Sequence, residues 1–244
     1  MYDCIADVYD LLMKDVDYIT YAEYMDKIIN RYLVKKPEII LDVGCGTGSL
    51  TCALRDKGYS MIGAEPSQNM LNRAFEKDIS NIQFINQGME HLDLFGTVQT
   101  AVSFLDCINH ITDIKHLQKG FDKVSLFLES KSLFIFDLNT VYKFENIYAN
   151  NVYFDLSDDV SYTWVNRYSQ KSGLCKMEIT YFIKNQHGDY ERYDTCNTER
   201  AYSDKQILDV AEKSGFELVD MLNDLSFEKP KKDCQRKFII LMKK

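Results

Sequence analysis

The chain has no C-x-x-C pair among its seven cysteines, no apolar run approaching the roughly 18 residues of a membrane span, and no surplus of positive charge. Each absence removes a class of protein. Without paired cysteines, neither a zinc site nor a disulfide framework is expected, and reduced thiols in a cytosol fit best. Acidic residues begin at Asp3, and no basic stretch leads into an apolar one at the amino terminus. The expectation is therefore a soluble, cytoplasmic protein with no secretory signal and no membrane partner. The formal net charge of −8 argues against an electrostatic grip on nucleic acid. Lysines do gather at residues 229–232 and 243–244, where a solvated tail is the simpler reading. There is no internal repeat and no low-complexity tract. No heptad pattern or exposed apolar seam assigns an oligomeric state.

What is present is an apolar run that breaks into glycines. Residues 39–48 read Ile-Ile-Leu-Asp-Val-Gly-Cys-Gly-Thr-Gly, followed by a helical pattern over residues 49–57. A buried strand ending in Gly44, Gly46 and Gly48 suits a backbone that turns tightly and lets a ligand touch it, since any Cβ would fill that space. In an α/β sheet such a turn lies at the carboxyl ends of the strands, where ligands bind. The spacing also separates two ligand classes. A dinucleotide loop requires G-x-G-x-x-G/A, whereas here the glycines run G-x-G-x-G and Ser49 takes the third small position. Asp42, just before the loop, repels phosphate and suits a ligand with positive charge, such as an ammonium or a sulfonium.

A second carboxylate follows at Glu65-Pro66-Ser67, at the end of a short apolar run over residues 59–64. A carboxylate at the tip of a second parallel strand can accept hydrogen bonds from both hydroxyls of a ribose. Alternatively, Glu65 only favours the next helix N-terminus through its charge. Ser67 is placed to cap that helix, which carries Met70, Leu71, Ala74 and Phe75.

The acidic residue followed by G-x-G-x-G, with Glu65 beyond it, resembles the first motifs of the class I S-adenosylmethionine-dependent methyltransferases of small-molecule type. The resemblance implies an α/β fold: a Rossmann-like, seven-stranded, doubly wound sheet. The chain supplies matching strands at residues 38–43, 59–64, 82–86, 98–104 and 133–137, with a final antiparallel pair at 216–221 and 237–242. Amphipathic helices are expected at residues 18–33, 113–128 and 203–214, the last capped by Ser203 and ended by Gly215. Between about residues 150 and 202 the pattern changes to alternation: Tyr162, Trp164 and Tyr168 against Thr163, Val165 and Arg167, then Met177, Ile179, Tyr181 and Ile183. These are antiparallel strands. Residues 1–149 and 203–244 are thus expected to form the cofactor-binding core, and residues 150–202 an inserted β lid over the acceptor site.

The same resemblance implies S-adenosyl-L-methionine as cofactor and S-adenosyl-L-homocysteine as product. It assigns to the cofactor Asp42, Gly44, Cys45, Gly46, Gly48, Glu65, Pro66, Met70, Gly88, Met89 and Phe104. Gly88 departs from the family, because it stands where an acidic residue usually meets the adenine amino group. Gln87 or Glu90 can replace that contact, or the backbone at Gly88 and Met89, with the Met89 side chain on the ring. After the fourth strand, Asp106 and Asn109 are candidates to orient an amine acceptor. His110 is a candidate proton acceptor or else a partly buried histidine bonded to backbone. Cys107 lacks a matched basic partner and reads as packing.

The opening Tyr2-x-x-x-Ala6-x-x-Tyr9-Asp10 resembles a segment that folds over the cofactor in small-molecule methyltransferases, which makes Tyr9 a further candidate. Asp137 and Asn139 end the fifth strand on the ligand side; Asn139 can equally cap a helix. In the lid, Arg192, Asp194, Thr198, Arg200 and Tyr202 share one strand face, either to receive an anionic acceptor or as a balanced exposed surface. The expected reaction is methyl transfer from S-adenosylmethionine to nitrogen or oxygen of a small-molecule acceptor, mainly by positioning. A non-catalytic sensor with the same fold and a nicotinamide-dependent oxidoreductase are the alternatives.

Overall fold

The computed structural model describes residues 5–244; Tyr2, Asp3 and Cys4 of the opening tyrosine motif lie outside them. The chain begins with a short 3-10 turn (Ala6–Val8) and α1 (Tyr9–Leu12), followed by α2 (Tyr18–Tyr32). Asp17 caps α2 by accepting from the Thr20 amide at 3.0 Å, and the helix buries Ala22, Met25, Ile28 and Ile29. The alternating part runs β1 (Ile39–Val43), α3 (Ser49–Arg55), β2 (Ser60–Ala64), α4 (Gln68–Ala74), β3 (Ile82–Ile85), β4 (Val98–Ser103), α5 (Cys107–His110), α6 (Ile114–Phe127) and β5 (Leu128–Asn139). A turn of α7 (Val141–Lys143) and a π-turn (Phe144–Tyr148) lead into β6 (Val152–Asp155), β7 (Val160–Ser169), β8 (Leu174–Lys184) and β9 (Tyr190–Arg200). The chain closes with α8 (Asp204–Lys213), β10 (Phe216–Asn223) and β11 (Arg236–Lys243). Ser67 and Ser203 cap α4 and α8 as expected, the latter in a full capping box with Gln206.

The main sheet has seven strands in the order β10-β11-β5-β4-β1-β2-β3. β1 to β5 pair in parallel, and β11 is antiparallel to both β5 and β10. Strand order reverses between β1 and β4, which opens a crevice at their carboxyl ends. The two faces of the sheet bury separate apolar layers because successive strand residues alternate. Leu41, Phe134 and Phe136 join Phe121 and Val124 of α6 on one side; Ile40, Leu133 and Ile135 join Met25 and Ile28 of α2 on the other. β5 is longer than the sequence pattern suggests at both ends. Leu128 pairs with Val98 across a register shift, and β11 holds the strand as far as Asn139.

The remaining strands form a separate antiparallel sheet, β6-β7-β8-β9. Its core-facing side packs Cys175 and Met177 against Phe144 and Tyr148, and Val160 and Tyr181 against Ile5. On β9 this inward side carries the odd-numbered residues. The arginine face points away: Arg192 pairs with Asp194 at 3.0 Å in the open, and Arg200 donates to the Thr112 carbonyl. Arg192 and Asp194 are thus a balanced exposed pair, whereas Arg200 is tied to Thr112 and Tyr202 is buried in the core.

Gly48 sits at φ +75°, and a Cβ there would lie 2.8 Å from the Phe84 ring and 3.3 Å from Ala74. Gly46, at φ +56°, has nothing within 4 Å of its would-be Cβ. Gly48→Ala is expected to cost about 2–3 kcal/mol, combining the left-handed penalty with overpacking, and Gly46→Ala only about 1–2 kcal/mol. Urea unfolding of the two variants checks this; equal losses would exclude the Phe84 contact as the cause.

Candidate active site

The β1–α3 loop uses its three glycines for three different purposes. At Gly44 (φ +80°) a Cβ would meet the Cys107 sulfur at 2.6 Å, so this glycine admits α5 against the loop. Cys107 donates to the carbonyls of Phe104 and Gly44, and burial pushes its thiol well above the ordinary range, which fits packing rather than nucleophilic chemistry. Gly46 leaves its side open and donates its N–H to Glu65 Oε2 at 3.1 Å. Gly48 turns toward Phe84 and is absent from the cavity wall. The contacts that require a glycine here are those of α3 with β3 and α4.

The loop borders a cavity of about 370 Å³ at the carboxyl ends of β1, β2 and β4. Asp42, Gly44, Cys45, Gly46, Glu65, Pro66, Met70, Gly88, Met89 and Phe104 all line it, joined by Tyr9, Tyr18 and His110. Asp42 is buried and accepts from the Thr51 hydroxyl at 2.6 Å. Burial raises its carboxyl to about 6, with Glu65 adding to the rise and the Thr51 bond opposing it. A cation placed here would favour the ionised form. Glu65 is held on both sides by backbone, accepting from Gly46 N at one oxygen and Ser67 N, at 2.9 Å, at the other. A carboxylate oxygen has two lone pairs, so a fixed Glu65 still has capacity for a diol. The Asn86 amide donates to the carbonyls of Glu65 and Pro66 at 2.9 Å and sets this turn. These features fit a nucleoside with a free ribose and a cationic tail.

The adenine side is less equipped. A Cβ on Gly88 would meet only Pro66, at 3.7 Å, so space does not enforce the glycine. Met89 lines the cavity but directs its thioether at Gly120 of α6, where a Cβ would come within 2.8 Å of the sulfur. Gln87 bonds both ways to the Asp93 backbone, and Glu90 pairs with His116; neither lines the cavity. Those two substitutes for the missing acid are therefore spent elsewhere. The N-terminal segment is clipped over the loop by Asp10, which accepts from Thr47 at 2.5 Å and pairs with Lys77 at 2.8 Å. That clip brings Tyr9 to the cavity, and burial raises its phenol well above the ordinary range.

Beyond β4 the chain passes through two consecutive non-glycine residues at positive φ, Leu105 (56°) and Asp106 (61°). Such a pair costs on the order of 1–2 kcal/mol per residue. Asp137, at the end of β5 and fully buried, accepts from both amides at 3.1 and 2.9 Å. Arg236 of β11 then bridges Asp137 at 2.5 Å and Asp106 at 2.7 Å. Burial alone would raise Asp106, but Arg236, with His110 and Lys143 behind it, holds the carboxyl below its ordinary value. Asp106 faces this cluster and not the cavity wall.

Asn109 does not face an acceptor. It is fully buried, and its amide donates to the carbonyls of Asn139 and Arg200 and accepts from Asn139 N at 2.9 Å. It ties α5 to β5 and β9. Asn139 caps no helix either; Thr140 caps α7, while Asn139 bonds Glu199 and Lys143.

His110 is the side chain that joins the cavity to this cluster. Its Nε2 lies 4.0 Å from Asp106 Oδ2 and 3.8 Å from Glu199 Oε1. Burial, opposed by Asp106, lowers the imidazole below its ordinary value, which favours the neutral form. Burial, and then Asp106, raise Glu199 to about 8. Sequence reading missed Glu199, Lys143 and Arg236. The signal for Glu199 and Arg236 is charge within an alternating or apolar strand, and Lys143 ends the short helix α7; neither context says what the side chain faces.

A seven-stranded sheet of this order, with a glycine loop beside a carboxylate-tipped second strand, defines a class I S-adenosylmethionine-dependent methyltransferase. A family match and several similar proteins support that class of enzyme for this chain. Residues 40–130 match the family described as methyltransferase domain. The chain is 27% identical over 245 residues to a putative methyltransferase of Geobacillus sp. (strain WCH70), covering 99% of each. It superposes on the crystal structure of an S-adenosylmethionine-dependent methyltransferase from Clostridium acetobutylicum ATCC 824 with a TM-score of 0.87 and 29% identity, over 99% of this chain and 98% of that one. The sugar N-methyltransferase KedS8 of Streptoalloteichus sp. ATCC 53650 shares the fold at a TM-score of 0.80 and 16% identity, over 97% and 92%.

Two measurements test the cofactor side. Glu65→Ala is expected to weaken S-adenosylhomocysteine binding by roughly 1.5–3 kcal/mol in a calorimetric titration; an unchanged affinity would remove Glu65 from the ribose. Asp42 carries a pH signature. Its native value of about 6 lies above its ordinary 3.8, so the folded protein binds the extra proton. The resulting stability is complete below about pH 4 and lost as pH rises through about 6. Asp42→Asn should therefore be more stable than wild type above that pH, by at most about 3 kcal/mol. In the wild type, cofactor affinity should fall as pH drops through 6, and in Asp42→Asn it should be weaker and flat.

Proposed function

We propose that the protein methylates a small-molecule acceptor in the cytosol, at nitrogen in preference to oxygen, with the second sheet (residues 150–202) as the lid over the acceptor. S-adenosylmethionine supplies a methyl on a sulfonium, which leaves as a neutral thioether. The protein's share is to hold the acceptor lone pair in line, exclude water and take up a proton. The observation that carries this reading is His110 at the cavity wall with the carboxylates of Asp106 and Glu199 about 4 Å behind it.

A neutral imidazole there can take the proton an amine sheds on attack, and the ionised Asp106 beside it stabilises the imidazolium that forms, with Glu199, raised to about 8, as a hydrogen-bonding neighbour. Tyr9, which also lines the cavity, is the second residue assigned to shaping the acceptor's approach. Holding donor and acceptor together supplies most of the rate. The sugar N-methyltransferase among the fold relatives supports a small acceptor and a nitrogen target. The net charge of −8 argues against nucleic acid as substrate. The six described cysteines are free thiols, in keeping with a reducing compartment, and no helix among the described residues is long and apolar enough to cross a membrane.

The test is transfer of a radiolabelled methyl from S-adenosylmethionine to a panel of small amines and alcohols. Label is expected in an amine, and His110→Ala should lower kcat by about 10²-fold with S-adenosylhomocysteine affinity retained. Label confined to alcohols, or a His110→Ala enzyme at full rate, would overturn the assignment.

A further inference from the structure

The core-facing side of the lid sheet carries polar groups that nothing else among the described residues engages. Asn166 of β7 is 1% exposed, and neither Nδ2 nor Oδ1 has a hydrogen-bond partner. Asn197 of β9 is 4% exposed with Oδ1 unpartnered, and the indole Nε1 of Trp164 is likewise buried and unpaired. Ladder register makes one patch of them. Asn166 lies opposite Met177, and Met177 opposite Asn197. Trp164 precedes Asn166 by one repeat of the pleat, and Glu199 follows Asn197 by one, so all four share a face. That face points at the core: Glu199 lies 3.3 Å from Asn139 and 3.8 Å from His110, and Trp164 packs on Tyr148 with ring centroids 5.5 Å apart.

Buried amides without partners destabilise a fold, and leucine in their place would pack without that cost. Polar atoms left in this state, on the sheet face that Glu199 shares beside His110, are what a ligand's polar groups would satisfy. We propose that Asn166, Asn197 and Trp164 form the acceptor-recognition surface of the lid, taking an uncharged group that both donates and accepts hydrogen bonds, such as neighbouring hydroxyls, while Glu199 takes the amine end beside His110. The proposal rests on the amine-methyltransferase reading above. The chemistry follows from the donor set. Two amides and an indole offer N–H and C=O groups but no full charge, so they match hydroxyls and leave a phosphate or carboxylate uncompensated. The indole, flanked by Tyr148 and Tyr153, adds an apolar flat surface suited to the C–H face of a hydroxylated ring.

The experiment compares glucosamine with cyclohexylamine, which keeps the six-membered ring and amine but has no hydroxyls. Both are titrated into the intact protein saturated with S-adenosylhomocysteine, followed by ligand-observed NMR, and both are offered as methyl acceptors. Glucosamine is expected to bind at least about tenfold more tightly and to be the better acceptor. Asn166→Leu, Asn197→Leu and the milder Trp164→Phe should each narrow that preference without changing S-adenosylhomocysteine affinity. The two leucine variants should also melt at a higher temperature than wild type, the reverse of what a structural asparagine predicts. Equal affinity for the two amines, or a preference that survives all three substitutions, overturns the recognition surface and leaves amine methylation standing. If neither amine binds or accepts methyl while the cofactor site still loads, the amine reading is overturned, and this proposal with it.

Discussion

The arrangement rests on Arg236 and the two carboxylates it bridges. Asp137 is fully buried, and its ionised form is tolerable only because Arg236 and two backbone amides satisfy it. Those amides belong to Leu105 and Asp106, the consecutive left-handed residues that follow β4. One ionic cluster therefore joins the end of β5, the start of β11 and a strained turn. The turn in turn sets where α5 begins, and with it the position of His110. Removing either charge would strand its partner in the interior, so the cluster is a constraint on geometry more than a source of stability.

The cofactor side is organised by a second constraint, the grip of Glu65 on two backbone amides. Its oxygens link the tip of β2 to Gly46 of the first loop and to Ser67 at the head of α4. Binding then needs little rearrangement of that carboxylate, which is how preorganisation strengthens recognition. Asp42 contributes differently. It carries the cost of a buried carboxylate until a cation arrives, which exchanges some stability for selectivity toward a positively charged ligand.

Much of the core was legible in the chain. The glycine loop, the carboxylate ending the second strand, the Ser67 and Ser203 caps and the antiparallel final pair all rest on local chemistry, and local chemistry is visible in sequence. Three readings turned on facing and were not. Gly48 has the same spacing logic as its two neighbours, yet it serves the Phe84 ring. Asn109 sits one residue from His110, but the short α5 turns it into the interior, where three backbone contacts exhaust it. On β9 the alternation was clear but not its parity. A strand pattern says that odd and even residues part company; only the neighbouring sheet says which of them faces in.

The sequence by itself determined the cofactor class, because the spacing of Gly44, Gly46 and Gly48 and the carboxylates Asp42 and Glu65 act through the turns they form and the charge they carry. Only the tertiary structure decided the chemistry beside it. Asp106 and His110 flank the single turn of α5, but Glu199 and Arg236 come from β9 and β11, far along the chain, and the three parts meet because β11 pairs with β5 and the second sheet packs back against α5. Contacts of that kind depend on strand order and register, which no local pattern encodes.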